Sequence, residues 1–142
     1  MISVAEARSR VLAAFSPLPA ELVGLAEALG RVTAEDVTAR LTQPPVSLSA
    51  MDGYAVRSTD LGQVPVQLRR IGEAPAGRSF KGHVGPGEAV RIFTGAPMPE
   101  GADTVVIQED TESDGATVTV LRPVGRHRHV RLTGIDFRQG EV

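Results

Sequence analysis

From Val4 to Phe15 the apolar positions Val4, Ala7, Val11, Leu12 and Phe15 recur at helical spacing and fall on one face. Ser3 followed three residues later by Glu6 is a capping-box pattern at the start of that run. An amphipathic helix is therefore predicted from about Val4 to Phe15, ended by Pro17 and Pro19. A second short helix is expected through Leu25-Ala26-Glu27-Ala28-Leu29, where Gly30 supplies a left-handed stop. Arg31 to Arg40 reads as strand-like. Gln43-Pro44-Pro45 then breaks the pattern, and beyond it no segment keeps a helical period for long.

The remainder reads as β-rich. Short candidate strands occur at Tyr54 to Arg57, Val64 to Ile71, Ala89 to Phe93, Thr104 to Glu109 and Ala116 to Leu121. The last two flank Asp114-Gly115, whose glycine tolerates the positive φ of a tight hairpin turn, so a hairpin is expected there. The predicted class is mainly β with N-terminal helices, an α+β arrangement. No fixed-period repeat or low-complexity tract points to a solenoid or a linker. With 15 Gly, 10 Pro, four Phe and one Tyr, turns are frequent and the core must be built from Val, Leu, Ile and Ala. The ending Gly140-Glu141-Val142, without a capping element, is what a piece cut from something longer would show.

Charge and size then narrow the function classes. The 142 residues suffice for one ordinary domain or two small ones. Seventeen acidic against fifteen basic residues, with a pI near 5.9, give no global electrostatic reason to bind nucleic acid or an anionic membrane. Any anion site must be local. The absence of cysteine removes disulfides, thiolate metal sites and cysteine nucleophiles together, and a cytoplasmic location is expected. The N-terminus meets acid and base too early for a signal peptide, and no apolar run could span a bilayer.

Three segments could carry chemistry. In Ser49-Ala50-Met51-Asp52-Gly53-Tyr54-Ala55-Val56 an Asp-Gly step precedes a strand, which would present the Asp52 carboxylate from a turn to a metal or a substrate proton. The alternative is an Asx-type turn without chemistry. In Arg91 to Asp103 a strand ends in a loop stiffened by Pro97 and Pro99 and opened by Gly95 and Gly101. Backbone N–H groups near Thr94 and Gly95, with the Thr94 hydroxyl, could point at an oxyanion, although Glu100 and Asp103 argue against a pure phosphate cradle. A rigid structural connection is the alternative.

The third segment runs from Arg122 to Phe137. Arg122, Arg126, Arg128 and Arg131 accumulate there with no acid before Asp136, and could hold phosphate or molybdate, or simply solubilise an edge strand. His127 and His129, spaced i and i+2, would share one face of a strand, but with His83 as the only other imidazole a zinc site is not expected. No Gly-x-Ser-x-Gly elbow, P-loop, dinucleotide fingerprint or His-Glu-x-x-His is present, so chemistry would rest on carboxylates, hydroxyls and backbone donors.

Taken together, Ser49 to Val56, Arg91 to Asp103 with the strand Thr104 to Glu109, and Val130-Arg131-Leu132-Thr133-Gly134-Ile135-Asp136 resemble three ordered signatures of the MoeA and gephyrin family of molybdopterin molybdenumtransferases, in its N-terminal region. The resemblance implies bifurcated, coiled β-sheets. It also implies a division into 1–18, a helix packing on an α/β domain outside this chain; 19–45, a linking-domain segment; 46–140, an inserted β domain; and 141–142, the return to the linking domain. The chain would be about the first third of an enzyme that inserts molybdenum, consuming molybdate and adenylylated molybdopterin with Mg2+ and releasing AMP, and would be inactive alone.

The same resemblance implies a homodimer, with a molybdopterin adenylyltransferase-type protein as upstream partner. Asp52, Thr94 and Asp136 match family positions lining the cleft between subunits, with Gly95 and Arg131 as substrate-side supports. Asp52 and Asp136 would orient magnesium or water, and Thr94 an oxyanion. Two departures stand out: Ser47-Leu48 replaces a common acidic-amide pair, and Ile135 replaces a frequent Glu beside Asp136. A non-catalytic dimerisation or scaffold module, and an oxyanion-binding β domain using the Arg122 to Arg131 stretch, are the competing readings.

Overall fold

A computed structural model describes residues 1–142, which divide into two compact units, Met1–Val37 and Thr38–Val142. The first unit holds the single α-helix, α1 (Val4–Ala13). Its start follows the capping pattern: the Ser3 hydroxyl oxygen accepts from the Glu6 N–H at 3.1 Å. The Glu6 side chain does not return to the cap but pairs with Arg10 one turn on. No residue of α1 is buried within the unit, and Val4, Val11, Leu12 and Phe15 stand exposed. The second predicted helix is a single 3-10 turn, Leu25–Glu27, after which Gly30 takes the expected left-handed φ of 81°. Arg31 to Arg40 forms no strand: its backbone finds no neighbouring ladder, and alternation without a partner strand does not make a sheet. The helical content is thus one α-helix and short 3-10 turns, less than the sequence pattern predicts.

The second unit is β. A six-stranded sheet has the order β5-β2-β4-β3-β7-β6, from β2 (Gly53–Val56), β3 (Val66–Ala74), β4 (Glu88–Ile92), β5 (Thr104–Ile107), β6 (Thr111–Ser113) and β7 (Thr117–Val120). All neighbours are antiparallel except β3 and β4, whose connection through 75–87 crosses over. A bulge between Arg70 and Gly72 bends β3. A two-residue ladder joins β1 (Leu48–Ser49) to β8 (Val130–Arg131).

Strict alternation gives this sheet two apolar faces. Tyr54, Val56, Leu68, Ala89, Val106, Val118 and Val120 pack with Leu61 on one side. Ala55, Ala74, Val90, Ile92 and Val105 pack with Val84 and Ala96 on the other. Each buried Val or Leu contributes about 1.5–3 kcal/mol relative to exposure, and these aliphatic residues replace the aromatic mass the composition lacks. The strand β2 is buried at every position, as suits a strand covered on both faces.

The Asp114-Gly115 turn forms with Gly115 at φ 96°, but its hairpin joins β6 to β7, not the Thr104 strand to the Ala116 strand. The stretch Thr104 to Glu109 ends as strand at Ile107; a 3-10 turn, Gln108–Asp110, redirects the chain, and β6 follows. The five predicted strands otherwise correspond to β2, β3, β4, β5 and β7.

Candidate functional site

The carboxylate of Asp52 sits at the entrance of β2, and three independent anchors fix the backbone around it. The Asp52 carbonyl accepts from the Gln108 N–H at 3.1 Å, just past the end of β5. The Gly53 carbonyl accepts from Arg91 Nη1 at 2.9 Å. The buried Ser49 hydroxyl donates to the Met51 carbonyl at 2.6 Å. Gly53 does not take a positive φ; it lies where β5 approaches so closely that an added Cβ would stand 2.8 Å from the Val106 carbonyl carbon and 2.9 Å from Ile107 Cα. The glycine of the Asp-Gly step is therefore a packing requirement, not a turn residue.

Thr94 meets Asp52 directly. Its N–H and its hydroxyl both donate to Asp52 Oδ1, at 2.8 and 2.7 Å. The Thr94 N–H, then the Thr94 hydroxyl, hold the Asp52 pKa below the ordinary carboxylate value against a smaller opposing effect of burial, and the Arg91 charge adds to them. Oδ2 takes part in none of these hydrogen bonds. This arrangement corrects the oxyanion-cradle expectation: both Thr94 donors are committed to Asp52, and the Gly95 N–H donates to the Ser49 carbonyl at 2.9 Å. Gly95 itself turns the chain at φ 81°, a left-handed conformation that suits glycine.

Asp136 lies in a second pair. Arg131 Nη2 donates to its Oδ1 at 2.8 Å and its Oδ2 at 2.7 Å. The preceding turn is pinned by Gly134 N–H to the Pro44 carbonyl and by the Asp136 N–H to the Gln43 carbonyl. No hydrogen bond links Asp52–Thr94 to Arg131–Asp136, yet one short segment stitches them together. On one side β1 pairs with Val130–Arg131; on the other, Ser49 N–H donates to the Ala96 carbonyl and Met98 N–H to the Ser47 carbonyl. The three signature segments thus meet along β1. Ser47, at one of the departures, joins this stitching: its hydroxyl accepts from the Thr133 N–H at 3.2 Å.

The arginine-rich segment behaves differently from its sequence pattern. Arg122 pairs with Asp110 at 3.5 Å, Arg126 with Asp103 at 3.1 Å, and Arg131 with Asp136. Three of its four cations are thereby matched by acids, which removes most of the local positive field an oxyanion site would use. Asp103 is structural: it also accepts from the Ser58 N–H and hydroxyl at 2.7 and 2.9 Å. Burial acts to raise its pKa, but the Ser58 bonds and the Arg126 charge outweigh it and hold the carboxyl low. His127 and His129 do not share a strand face, because both sit in turns at φ 61° and 57°.

No group of three or more His, Asp or Glu side chains gathers that could hold a metal ion. Magnesium needs near-octahedral oxygen donors. Asp52 offers one uncommitted oxygen, while both oxygens of Asp136 face Arg131. The residues of this chain do not fit a preformed magnesium site.

Arg91 and Gln108 are the site residues that motif reading missed. Arg91 Nη2 donates to Gln108 Oε1 at 2.8 Å, and its guanidinium lies 5.3 Å from the Tyr54 ring centroid and 4.7 Å from that of Phe93. The available signal was a lone cation between the core residues Val90 and Ile92.

Comparison with known proteins places the chain in a family. The family "MoeA N-terminal region (domain I and II)" matches residues 2–142. A molybdopterin molybdenumtransferase of Haemophilus influenzae is 38% identical over 144 residues, covering 100% of this chain and 35% of that protein. One from Nostoc is 43% identical over 124 residues, covering 84% and 28%. The crystal structure of a molybdopterin biosynthesis moeA protein from Pyrococcus horikoshii OT3 superposes with a TM-score of 0.78 at 41% identity, over 86% of this chain and 33% of that one. The chain spans about a third of the length of the Haemophilus relative. No helix is long and apolar enough to cross a membrane. With its three signature segments gathered on β1 and its length matched almost throughout, the chain belongs to the family of MoeA N-terminal regions.

Proposed function

We propose that this chain supplies the Asp52 side of the active site of a molybdopterin molybdenumtransferase, with molybdate and adenylylated molybdopterin as substrates and AMP released. The observation that carries the proposal is the Asp52 carboxylate, held ionised by two Thr94 hydrogen bonds to one oxygen while Oδ2 remains available. A carboxylate so held is a fixed negative charge and a hydrogen-bond acceptor, suited to orienting water or a substrate hydroxyl rather than to storing a proton. Thr94 acts through Asp52, and Gly95 lets the loop turn toward it. Arg131 holds the Asp136 carboxylate in place through both of its oxygens. Since this chain does not fit a magnesium site, any magnesium in the reaction takes most of its ligands from substrate or from residues outside this chain.

In this reading the pterin-binding part lies outside the chain, the intact protein is a cytoplasmic homodimer, and its pterin substrate arrives from an adenylyltransferase-type partner. The test is turnover. The intact protein should make molybdenum cofactor from molybdate and adenylylated molybdopterin, the 142-residue chain should not, and Asp52→Ala should abolish turnover with the melting temperature nearly unchanged. Active cofactor made by the isolated chain, or full turnover by Asp52→Ala, would reject the assignment. The oxyanion-binding alternative is disfavoured by the pairing of Arg122, Arg126 and Arg131 with acids.

A further inference from the structure

We infer that Arg91 is a positioning residue for Asp52, bracing the turn that presents it by tying three strands together at one point. This rests on the transferase reading for its consequence in turnover, but not for its geometry. Arg91 stands on β4 directly opposite Tyr54 of β2, and three residues before Thr94, so strand and clamp share one backbone. Its two terminal nitrogens diverge. Nη1 reaches the Gly53 carbonyl on β2 at 2.9 Å, and Nη2 reaches Gln108 Oε1 beyond β5 at 2.8 Å. The Tyr54 and Phe93 rings flank the guanidinium at 5.3 and 4.7 Å and limit where it can swing.

The contacts form a closed circuit. Gln108 N–H holds the Asp52 carbonyl, Gln108 Oε1 holds Arg91, Arg91 holds the Gly53 carbonyl, and the strand carrying Arg91 ends in Thr94, which holds the Asp52 carboxylate. The Asp52 carbonyl, the Gly53 carbonyl and the Asp52 carboxylate are thus each tied, directly or through one residue, to Arg91. No acidic side chain pairs with Arg91 as an ion pair, so its charge is available to the Asp52 carboxylate. Lysine could supply the charge, but its three donors radiate from one nitrogen, so it lacks two separated donor nitrogens and a planar face to lie between two rings.

The experiment compares Arg91→Met, Arg91→Lys and Gln108→Ala with the unmutated chain, all checked for folding by thermal melting. Asp52 is followed by carboxyl 13C titration, and the Thr94 and Gln108 amides by hydrogen exchange. In Arg91→Met the Asp52 midpoint should move up toward the ordinary carboxylate value, and the two amides should exchange about tenfold faster. Arg91→Lys should keep the midpoint closer to that of the unmutated chain while still loosening both amides, and Gln108→Ala should loosen them with Arg91 present. In the intact protein Arg91→Lys should lower kcat more than it raises KM. A folded Arg91→Met chain with the same Asp52 midpoint and the same exchange would overturn the inference, as would unchanged exchange in both other variants. Absence of turnover in the unmutated intact protein would instead reject the transferase reading and leave the titration and exchange results standing.

Discussion

Replacing Gly53 by alanine tests whether the fold and the Asp52 turn depend on the close approach of β5. The added Cβ would stand 2.8 Å from the Val106 carbonyl carbon and 2.9 Å from Ile107 Cα. Ordinary carbon–carbon contacts lie at about 3.5–4.0 Å, so β2 and β5 must part by about 1 Å. Gly53 is paired on both sides, with Ile92 of β4 and Ile107 of β5, so the strand cannot yield toward one neighbour without compressing the other. Overpacking of this kind costs about 1–3 kcal/mol, and the stiffer unfolded chain returns about 0.4–1 kcal/mol. The expected net loss is about 1.3 kcal/mol, or a fall in Tm of about 5 °C for a unit of this size. Urea unfolding followed by circular dichroism measures it directly. The control is Gly62→Ala, at φ −62° with nothing within 4 Å of the new Cβ, which should be neutral or slightly stabilising. Should Gly53→Ala melt within about 2 °C of the unmutated chain, the steric account of the Asp-Gly step is wrong.

Other expectations can be checked together. Thr94→Val in the intact protein should reduce turnover strongly, and Thr94→Ser should retain most of it, because the shared hydroxyl still reaches Asp52; equal loss in both would show that the methyl group matters more than the bond. Asp103 has a folded pKa below its unfolded value, so its stabilisation is present above the unfolded pKa and lost as pH falls through the folded one. Melting temperature should therefore drop as the pH is lowered below the ordinary Asp range, and Asp103→Asn should flatten that slope while lowering Tm at neutral pH; an unaltered slope would refute the Ser58 and Arg126 account. If the site is shared across the proposed dimer, separately tagged Asp52→Ala subunits paired with subunits inactivated outside this chain should recover up to about half of full activity, and verified mixed dimers that stay inactive would place the site within one subunit.

The parts legible in the sequence were those governed by local rules. Alternation located β2, β3, β4, β5 and β7, because each buries a Val, Leu, Ile or Ala on at least one face. Ser3 and Gly30 marked a helix start and a left-handed stop for the same local reasons. What failed depended on partners distant in the chain. Arg31 to Arg40 alternates but meets no ladder, while Leu48–Ser49 and Val130–Arg131 pair although two residues carry no period to read. The arginine stretch looked unpaired because Asp103 and Asp110 precede it by more than ten residues. At the candidate site, Asp52 was singled out by its Asp-Gly step before a strand and Thr94 by its loop after one, with the family resemblance added to both, but that Thr94 spends both donors on Asp52 became visible only once the 42 residues between them had folded.

The alternation along β4 has a consequence for errors in assembly. Val90 and Ile92 face one apolar layer and Arg91 the other side, opposite Tyr54. A slip of one residue between β4 and β2 would exchange these roles, sending the guanidinium into the Val84 and Val105 layer and an isoleucine or valine to the place beside Gly53. The penalty for burying an unpaired cation there far exceeds the difference between neighbouring registers of a neutral strand. Arg91 therefore works as a registration mark: chains that misalign the Asp52 turn also fail to close their core, so a folded population with a displaced Asp52 is not expected to accumulate.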